Sequence, residues 1–239
     1  MKNDWEKIWQ NRKADGNELQ SNDENRVLLE LKRLNGFDLV KDGISEEAYK
    51  SLCNDIIDML SSNDNNNRIT SIYEVGCGSG ANLFLMEKNG LITGGIDYSE
   101  ALIGVARRVL KSNDIESGEA IAVPALPLYD SVFAVDVFSY FEDRVYAVKV
   151  MEKMLLKSRY SIGIVSVHDK EKEDEMMEFR RKSIPEYDKR YKNLPKLCYS
   201  KDFFRDFAQK YNLNIVFKDS NIGGYWNNKY LFDCYMYKE

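Results

Sequence analysis

The sequence contains a single histidine, and its cysteines are too few and too scattered to form a metal site. The four cysteines are Cys53, Cys77, Cys198 and Cys234, with no C-x-x-C pair among them, and His168 is the only imidazole. A structural zinc site needs about four clustered sulfur or nitrogen ligands. We therefore expect no bound metal, and we expect reduced thiols of the kind found in cytoplasmic proteins.

Long apolar runs and an excess of basic residues are also missing. No apolar run approaches the roughly 18 residues of a membrane-spanning helix, and the opening segment M-K-N-D-W-E-K-I-W-Q-N-R carries charges where a signal peptide needs an apolar core. The chain has 34 Lys and Arg against 39 Asp and Glu, a formal net charge of −5. Binding to duplex nucleic acid depends on neutralising phosphates. We therefore expect a cytoplasmic protein that binds neither membranes nor nucleic acid.

Only four prolines occur in 239 residues, and there is no low-complexity linker or internal repeat. A chain of this length can form one domain with a sizeable core. The hydrophobic pattern alternates between strands and helices. It predicts the strands S-I-Y-E-V, L-I-T-G-G-I-D, S-V-F-A-V-D and S-I-G-I-V-S-V, a short strand over Glu119 to Ala122, and helices after Ser45, after Ser99, from about Asp143 to Leu156 and after Ser200.

Strands alternating with helices indicate a mostly parallel sheet with helices on both faces, an α/β fold. The two closing segments, N-I-V-F-K and K-Y-L-F-D-C-Y-M-Y, have no helix between them. A parallel connection would require a crossover, so we predict that these two strands pair antiparallel.

A glycine-rich segment, E-V-G-C-G-S-G, runs from Glu74 at the end of the first predicted strand. Glycines there allow a ligand to approach the backbone at the carboxyl edge of the sheet. The segment G-C-G-S-G-A also fits the dinucleotide pattern G-x-G-x-x-A, with Asp97 placed to bind a ribose. A nicotinamide or flavin enzyme is the less favoured alternative, because Glu74 would have no task opposite a pyrophosphate. A tight turn without a ligand is the third interpretation.

Four sequence blocks in order resemble the motif series of class I S-adenosylmethionine-dependent methyltransferases. They are E-V-G-C-G-S-G, G-I-D-Y-S, G-E-A and Y-D-S-V-F-A-V-D-V-F-S-Y-F-E-D, and they cover about Ser71 to Asp143. The resemblance implies a Rossmann-like, seven-stranded sheet in the order 3-2-1-4-5-7-6 with strand 7 antiparallel, and S-adenosylmethionine as the cofactor. Within the family the chain looks most like enzymes that act on small molecules, tailoring surface polysaccharides or natural products.

The resemblance also implies which residues contact the coenzyme. Glu74 matches the acid near the methionyl amino group, and Asp97 matches the acceptor of the ribose hydroxyls. Ser99 fits a coenzyme ligand and a helix cap equally well. The remaining matches are Gly76, Cys77 and Gly78 beneath the coenzyme, Tyr98 beside the adenine, Glu119 and Ala120 at the adenine edge, and Ala134 and Val135 below the sulfonium.

Two segments are expected to cover the site. Residues 1–45 would form an N-terminal lid in which Trp5 and Trp9 close over the coenzyme, and the segment L-N-G-F-D from Leu34 to Asp38 would join it; ordinary core packing of the tryptophans is the alternative. Residues 169–199 would form a substrate cap inserted after the fifth strand. The basic residues of this cap are expected to form a solvated face, and a clamp for an anionic acceptor is the less favoured alternative. They are Arg180, Arg181, Lys182, Lys189, Arg190 and Lys192.

The catalytic candidates lie where the fourth and fifth strands end. His168 is the only side chain with an ordinary pKa near neutrality, so it is a candidate general base, although a plain loop residue is the commoner role for such a histidine. Asp136, Tyr140 and Asp169 compete with it for that role. The signature N-P-P-Y of many N-methyltransferases is replaced here by V-D-V-F. We therefore expect methyl transfer to an oxygen, less favourably a nitrogen, of a small anionic or sugar-linked metabolite.

Two alternatives stay open at this point. One is an RNA or protein methyltransferase with the same fold, and the other is a coenzyme-binding regulatory protein without turnover. We also expect that replacing Asp97 by Ala weakens coenzyme binding while leaving folding nearly unchanged.

Overall fold

The computed structural model describes residues 5–36, 44–62 and 68–239. The helices in these ranges are α1 (Trp5–Gln10), α2 (Gly16–Leu19), α3 (Glu24–Leu34), α4 (Glu46–Ser61), α5 (Ala81–Lys88), α6 (Glu100–Val109), α7 (Arg144–Lys157), α8 (Glu173–Ser183), α9 (Tyr187–Arg190) and α10 (Lys201–Lys210). The strands are β1 (Ser71–Val75), β2 (Ile92–Asp97), β3 (Ile115–Ser117), β4 (Tyr129–Val135), β5 (Ser158–His168), β6 (Leu213–Asp219) and β7 (Leu231–Lys238).

The seven strands form one sheet in the order β3-β2-β1-β4-β5-β7-β6. Strands β1 to β5 pair in parallel, and β7 runs antiparallel between β5 and β6. The predicted strand order and the predicted antiparallel closing pair are confirmed. From the central strand β1 the chain proceeds to β2 on one side and later to β4 on the other, so the ligand crevice of such a sheet opens at the carboxyl ends of β1 and β4.

Side-chain caps fix where the predicted helices begin. Ser45, Ser99 and Ser200 each accept a hydrogen bond from a backbone N–H of the first turn, as Asp143 does for α7. Such a cap satisfies one of the four unpaired N–H groups at a helix start. Helix α5 differs, because it begins after Gly80, whose left-handed φ of +84° lets the chain turn directly from the glycine-rich segment into the helix.

Two apolar layers cover the sheet. Leu31 of α3, Ile56 of α4 and Phe133 of β4 belong to one cluster of buried residues, which also takes in α5 and α6. Met151 of α7 and Phe204 of α10 belong to the other. Helices therefore pack on both faces, as the alternating pattern predicts.

The short strand predicted over Glu119 to Ala122 is wrong. β3 ends at Ser117, and residues 120–122 form a single 3₁₀ turn. The backbone N–H of Gly118 donates to the Asp97 carbonyl at 2.9 Å and closes the β2–β3 ladder. Ile121, part of the apolar run that suggested a strand, packs against the core layer formed with α7 and α10.

Segments at both ends of this core approach the carboxyl edge of the sheet. Helix α1 packs against α6, and residues 169–199 connect β5 to α10 and contain α8 and α9. Phe37 and Asp38 of the predicted cover lie outside the described residues. In the ranges described, no helix combines the length and the apolar character needed to cross a bilayer.

Candidate functional site

A cavity of about 400 Å³ opens at the carboxyl edge of the sheet. Its wall is built from the glycine turn after β1, the end of β2, the turn after β3, the end of β4 and helix α1. Of the residues expected to contact a coenzyme or to act in catalysis, those that line the cavity are Trp9, Glu74, Gly76, Gly78, Asp97, Tyr98, Glu119, Ala120, Val135, Asp136 and Tyr140.

The glycine turn after β1 leaves no room for side chains. Gly76 and Gly78 have φ of +76° and +55°, which L-residues adopt only with strain. A Cβ at Gly76 would lie 2.3 Å from Val137 Cγ2, and one at Gly78 would lie 2.4 Å from Asn35 Oδ1. Asn35 at the end of α3 accepts from the backbone N–H of Ser79 at 2.8 Å. The turn is thus held tightly while its backbone stays open to the cavity.

Glu74 places a buried carboxylate at the floor of the cavity. The residue is 1% exposed. Its Oε1 accepts from Asn82 Nδ2 at 2.5 Å, and Asn82 Oδ1 in turn accepts from the Tyr49 hydroxyl at 2.6 Å. Its Oε2 has no hydrogen-bond partner among the described residues. Burial raises the pKa of Glu74 to about 8. A cationic group bound beside it would therefore favour the ionised form of the carboxylate.

Asp97 ends β2 and joins the glycine turn to α6. One of its oxygens accepts from the backbone N–H of Gly78 at 2.9 Å, and the other accepts from that of Ser99 at 2.8 Å. Burial raises the pKa of Asp97 to about 6, against the lowering effect of these two hydrogen bonds. Each carboxylate oxygen has a second lone-pair site, so two hydroxyl donors can still bind.

The turn after β3 forms another part of the cavity wall. Glu119 accepts from the Tyr146 hydroxyl at 3.4 Å, and the Tyr146 hydroxyl accepts from the backbone N–H of Ile121 at the same distance. Tyr98 and Ala120 complete this end of the wall. An aromatic ring beside exposed backbone and one acid suits a flat, hydrogen-bonding group.

Helix α1 places two tryptophans in the wall of the cavity. Trp5 and Trp9 meet the ring of Tyr140 edge-on, with centroids 4.8 and 5.9 Å apart. The Trp9 carbonyl accepts from Ser99 Oγ at 3.2 Å, and the Trp5 indole N–H donates to the Pro195 carbonyl at 2.9 Å. Trp5 is buried and both rings line the cavity. Helix α1 is therefore hydrogen-bonded both to Ser99 at the start of α6 and to the segment before α10.

Replacing Trp9 by Ala is expected to weaken binding of the cavity's ligand by about 1–2 kcal/mol, because the ring loses apolar and edge contacts. Isothermal titration with S-adenosylhomocysteine would measure this as a 5- to 30-fold rise in Kd. Trp226→Ala is the matched control, since Trp226 stacks on Phe179 at 5.3 Å and does not line the cavity. Equal losses in both variants would contradict a lid role for Trp9.

Asp136 and Tyr140 stand at the end of β4, beside the glycine turn. Asp136 adopts a left-handed φ of +53°, and its backbone N–H donates to the Val165 carbonyl at 3.0 Å. Burial raises the pKa of Asp136, opposed by the nearby Lys196 and Arg180. Lys196 Nζ lies 4.6 Å from the centroid of the Tyr140 ring. A carboxylate, a phenol and a cation therefore meet at this end of the cavity.

Asp169 and four other predicted site residues do not line the cavity. Cys77 and Ala134 are buried with apolar neighbours. Ser99 is fully buried and caps α6, its Oγ accepting from the Leu102 N–H. His168 is 1% exposed, and burial together with Lys196 and Arg180 lowers its pKa well below the ordinary value. A neutral imidazole outside the cavity wall is poorly placed to be the base.

Of the six basic residues considered as an anion clamp, only Arg180 is buried. Arg181 pairs with Asp188, Lys182 with Glu178 and Lys189 with Glu186, all on the surface, and Arg190 and Lys192 are exposed. The favoured interpretation, a solvated face, is therefore right for five of the six residues. Of the three that lie in α8, only Arg180 is on the side of the helix that faces the core.

Several residues of the site escaped sequence reasoning. Asn82 and Tyr49 hold Glu74 from α5 and α4, and Lys196 reaches Tyr140 from the segment before α10. Of these three, Asn82 had a signal in the sequence, because it is the only polar residue in the apolar run A-N-L-F-L-M. Asn35, which holds the glycine turn from α3, lies in the segment from Leu34 to Asp38 that is predicted to join the cover.

Comparison with known proteins supports a family and a fold. Residues 73–158 match the sequence model of a family described as "Methyltransferase domain". No curated protein matches the chain. The structure is similar to the plantazolicin methyltransferase BpumL solved with SAH, at 16% identity over 99% of this chain and 98% of that one, with a TM-score of 0.64.

Two further solved structures have similar folds. The magnesium protoporphyrin IX methyltransferase of Synechocystis PCC 6803, solved with SAH, covers 91% of this chain over 100% of its own at 14% identity and a TM-score of 0.61. An amino pentose methyltransferase from Micromonospora echinaspora, solved with SAM, covers 80% of this chain over 92% of its own at 8% identity and a TM-score of 0.60. Residues 73–158 therefore match a methyltransferase domain, and the fold of the chain is similar to that of these solved methyltransferases.

Proposed function

We propose that this chain is a class I S-adenosylmethionine-dependent methyltransferase that transfers a methyl group to an oxygen of a small metabolite, with nitrogen as the less favoured acceptor atom. The observation that carries the assignment of the cavity is the unpartnered Oε2 of Glu74, a buried carboxylate oxygen at its floor. A buried carboxylate without a partner is costly, and the ammonium of the coenzyme's methionyl part would satisfy it.

The other residues of the cavity fit the rest of the coenzyme. Asp97 offers two free lone-pair sites to the ribose hydroxyls, while Tyr98, Glu119 and Ala120 surround the space for the adenine. The turn at Gly76 and Gly78 presents bare backbone beneath the ligand. When bound, S-adenosylmethionine supplies an electrophilic methyl group on its sulfonium.

Asp136 and Tyr140 would receive the acceptor beside Val135. Asp136 is the best-placed group to take a proton from an acceptor hydroxyl, because it lines the cavity while His168 does not. Tyr140, held between Trp5 and Lys196, would position the acceptor. Holding the reacting atoms in line can supply about 7–11 kcal/mol of the barrier reduction, so orientation is the main task of these residues.

A lid formed by helix α1 would favour a small acceptor over RNA or a folded protein. The helix lines the cavity, and its Trp5 indole donates to the Pro195 carbonyl in the segment that follows α9. A polymer substrate would require an open, basic approach to the sheet edge.

Isothermal titration is expected to show micromolar binding of S-adenosylmethionine and S-adenosylhomocysteine, and no binding of NAD or FAD, because Glu74 suits an ammonium and repels a pyrophosphate. Transfer of isotope-labelled methyl to a panel of small hydroxyl, carboxyl and amine acceptors would then measure turnover. Binding of NAD, or of neither sulfur compound, would contradict the proposal. Coenzyme binding without product across the panel would favour a regulatory protein.

A further inference from the structure

Two cations near Asp136, one buried and one half-buried, are not used by coenzyme binding. Arg180 of α8 is 8% exposed, and its Nε has no hydrogen-bond partner within the described ranges, whereas Lys196 is half-buried. Lys196, on the segment between α9 and α10, lies with its Nζ 4.6 Å from the Tyr140 ring centroid and 5.7 Å from that of Trp5. The positive charges of both residues lower the pKa of Asp136 and that of His168. We call Arg180, Lys196, Asp136 and His168 the inner polar cluster.

The inner polar cluster carries a surplus of positive charge. Arg180 and Lys196 contribute two charges, and both oppose the rise in the pKa of Asp136. Burial and both cations lower the pKa of His168 well below its ordinary value, so its imidazole is neutral. A buried charge such as that of Arg180 is costly unless it is paired. Asp136 can balance only one of the two cations.

Unpartnered polar atoms surround the same place. His168 Nδ1 and Asn227 Oδ1 are buried without hydrogen bonds, as Arg180 Nε is. Asn227 follows Trp226, whose ring centroid lies 5.7 Å from Arg180 Cζ. Asn227 is also hydrogen-bonded to Tyr225, whose pKa is affected by the charges of both Asp136 and Arg180. Fewer than one in ten buried polar groups normally lack a partner, so several in one place indicate a site for a polar ligand.

We propose that Arg180 and Lys196 form an anion subsite for the methyl acceptor, which holds an acidic group, carboxylate or phosphate, while the acceptor's nucleophilic atom lies near Asp136 and the methyl group. The inference rests on the proposed function, because it takes the cavity beside Asp136 as the place of methyl transfer.

The position of Lys196 links this subsite to the cavity. Its Nζ faces the ring of Tyr140, which lines the cavity wall. The neighbouring Pro195 carbonyl is fixed by the Trp5 indole at 2.9 Å. Arg180 approaches from α8, a different element. Two cations held by separate elements can grip an anion by charge-assisted hydrogen bonds, which are roughly twice as strong as neutral ones.

The test measures binding of two simple anions to the intact protein saturated with S-adenosylhomocysteine. Inorganic phosphate and acetate are titrated separately, with ³¹P and ¹H NMR line widths as readout, so that the two arms distinguish a phosphate from a carboxylate. Arg180→Gln and Lys196→Gln are each expected to weaken binding of the preferred anion about 10-fold or more. Arg180→Lys, which keeps the charge, should restore part of that loss.

Arg181→Gln is the matched control. Arg181 neighbours Arg180 in α8 but is exposed and paired with Asp188, so this variant should bind the anion as the wild type does. Equal weakening in Arg181→Gln, or no effect of Arg180→Gln and Lys196→Gln, would overturn the subsite. If Arg180→Gln fails to fold, Lys196→Gln decides alone, because it alters a different segment.

The same titrations separate this inference from the proposed function. Binding of S-adenosylhomocysteine without binding of either anion would overturn the subsite and leave the methyltransferase proposal standing. Absence of S-adenosylhomocysteine binding would contradict the proposed function. Anion titration of the coenzyme-free protein and its variants would then still decide whether Arg180 and Lys196 bind an acidic group.

Discussion

Replacing Glu74 by Gln is expected to weaken binding of S-adenosylhomocysteine by about 2–5 kcal/mol, the range for removing one member of a buried, hydrogen-bonded charge pair. The amide would keep the hydrogen bond with Asn82 but would offer no negative charge to the methionyl ammonium. Isothermal titration would report a rise in Kd of roughly 30-fold to several thousand-fold. Glu178→Gln, which alters an exposed glutamate paired with Lys182, should bind normally.

The same substitution is expected to stabilise the coenzyme-free protein at alkaline pH. The pKa of Glu74 is about 8 in the folded chain, above its ordinary value of 4.5. The folded state therefore binds more protons than the unfolded state between about pH 5 and pH 8, and the contribution of Glu74 to the free energy of unfolding falls as the pH rises through that window. Denaturant unfolding at pH 9 should show Glu74→Gln to be more stable than the wild type.

Opposite signs in binding and in stability distinguish a ligand-binding carboxylate from a structural one. A structural Glu74 would lose stability on substitution at every pH and would change coenzyme affinity only through misfolding. For the wild type, affinity for S-adenosylhomocysteine should also rise as the pH increases toward 8, because the bound ammonium favours the ionised carboxylate. A pH-independent Kd between pH 6 and pH 9 would contradict this assignment.

The fold was predictable because its signals are local and mutually consistent. Ser45, Ser99 and Ser200 mark helix starts by their side-chain caps, and apolar runs between them read as buried strands. The strand order required the family resemblance, since pairing between distant segments has no local signature. The failed strand at Glu119 to Ala122 shows the limit: an apolar run packs equally well as a 3₁₀ turn when its neighbour strand has already ended.

The candidate site was predictable only where the motif reaches. Glu74 and Asp97 stand at fixed distances from the glycines, whereas Asn82, Tyr49 and Lys196 come to the site from other elements. Whether a basic residue faces the core or the solvent depends on its helical phase against a particular neighbour. Arg180 and Arg181 are adjacent in sequence, yet one is buried and the other is exposed.

Replacing Asp97 by Ala is expected to weaken coenzyme binding by about 1–3 kcal/mol, as hydrogen bonds from the ribose hydroxyls to a charged acceptor are lost. The structure changes the expectation for folding. The backbone N–H groups of Gly78 and Ser99 both donate to this carboxylate and would lose their acceptor. The removal of a half-buried charge, whose pKa is raised to about 6, offsets part of that cost. A net loss of about 1 kcal/mol in unfolding free energy is expected.

Asp97→Asn separates these two roles. The amide oxygen can still accept from one of the two backbone N–H groups, so Asp97→Asn should retain more stability than Asp97→Ala, while its uncharged amide should bind the ribose hydroxyls more weakly than the wild type does. Titration with S-adenosylhomocysteine and denaturant unfolding of both variants would measure the two effects independently. Normal affinity in both Asp97→Asn and Asp97→Ala would remove the ribose assignment. A loss of affinity that only follows the loss of stability would show that Asp97 anchors the glycine turn without binding the ribose.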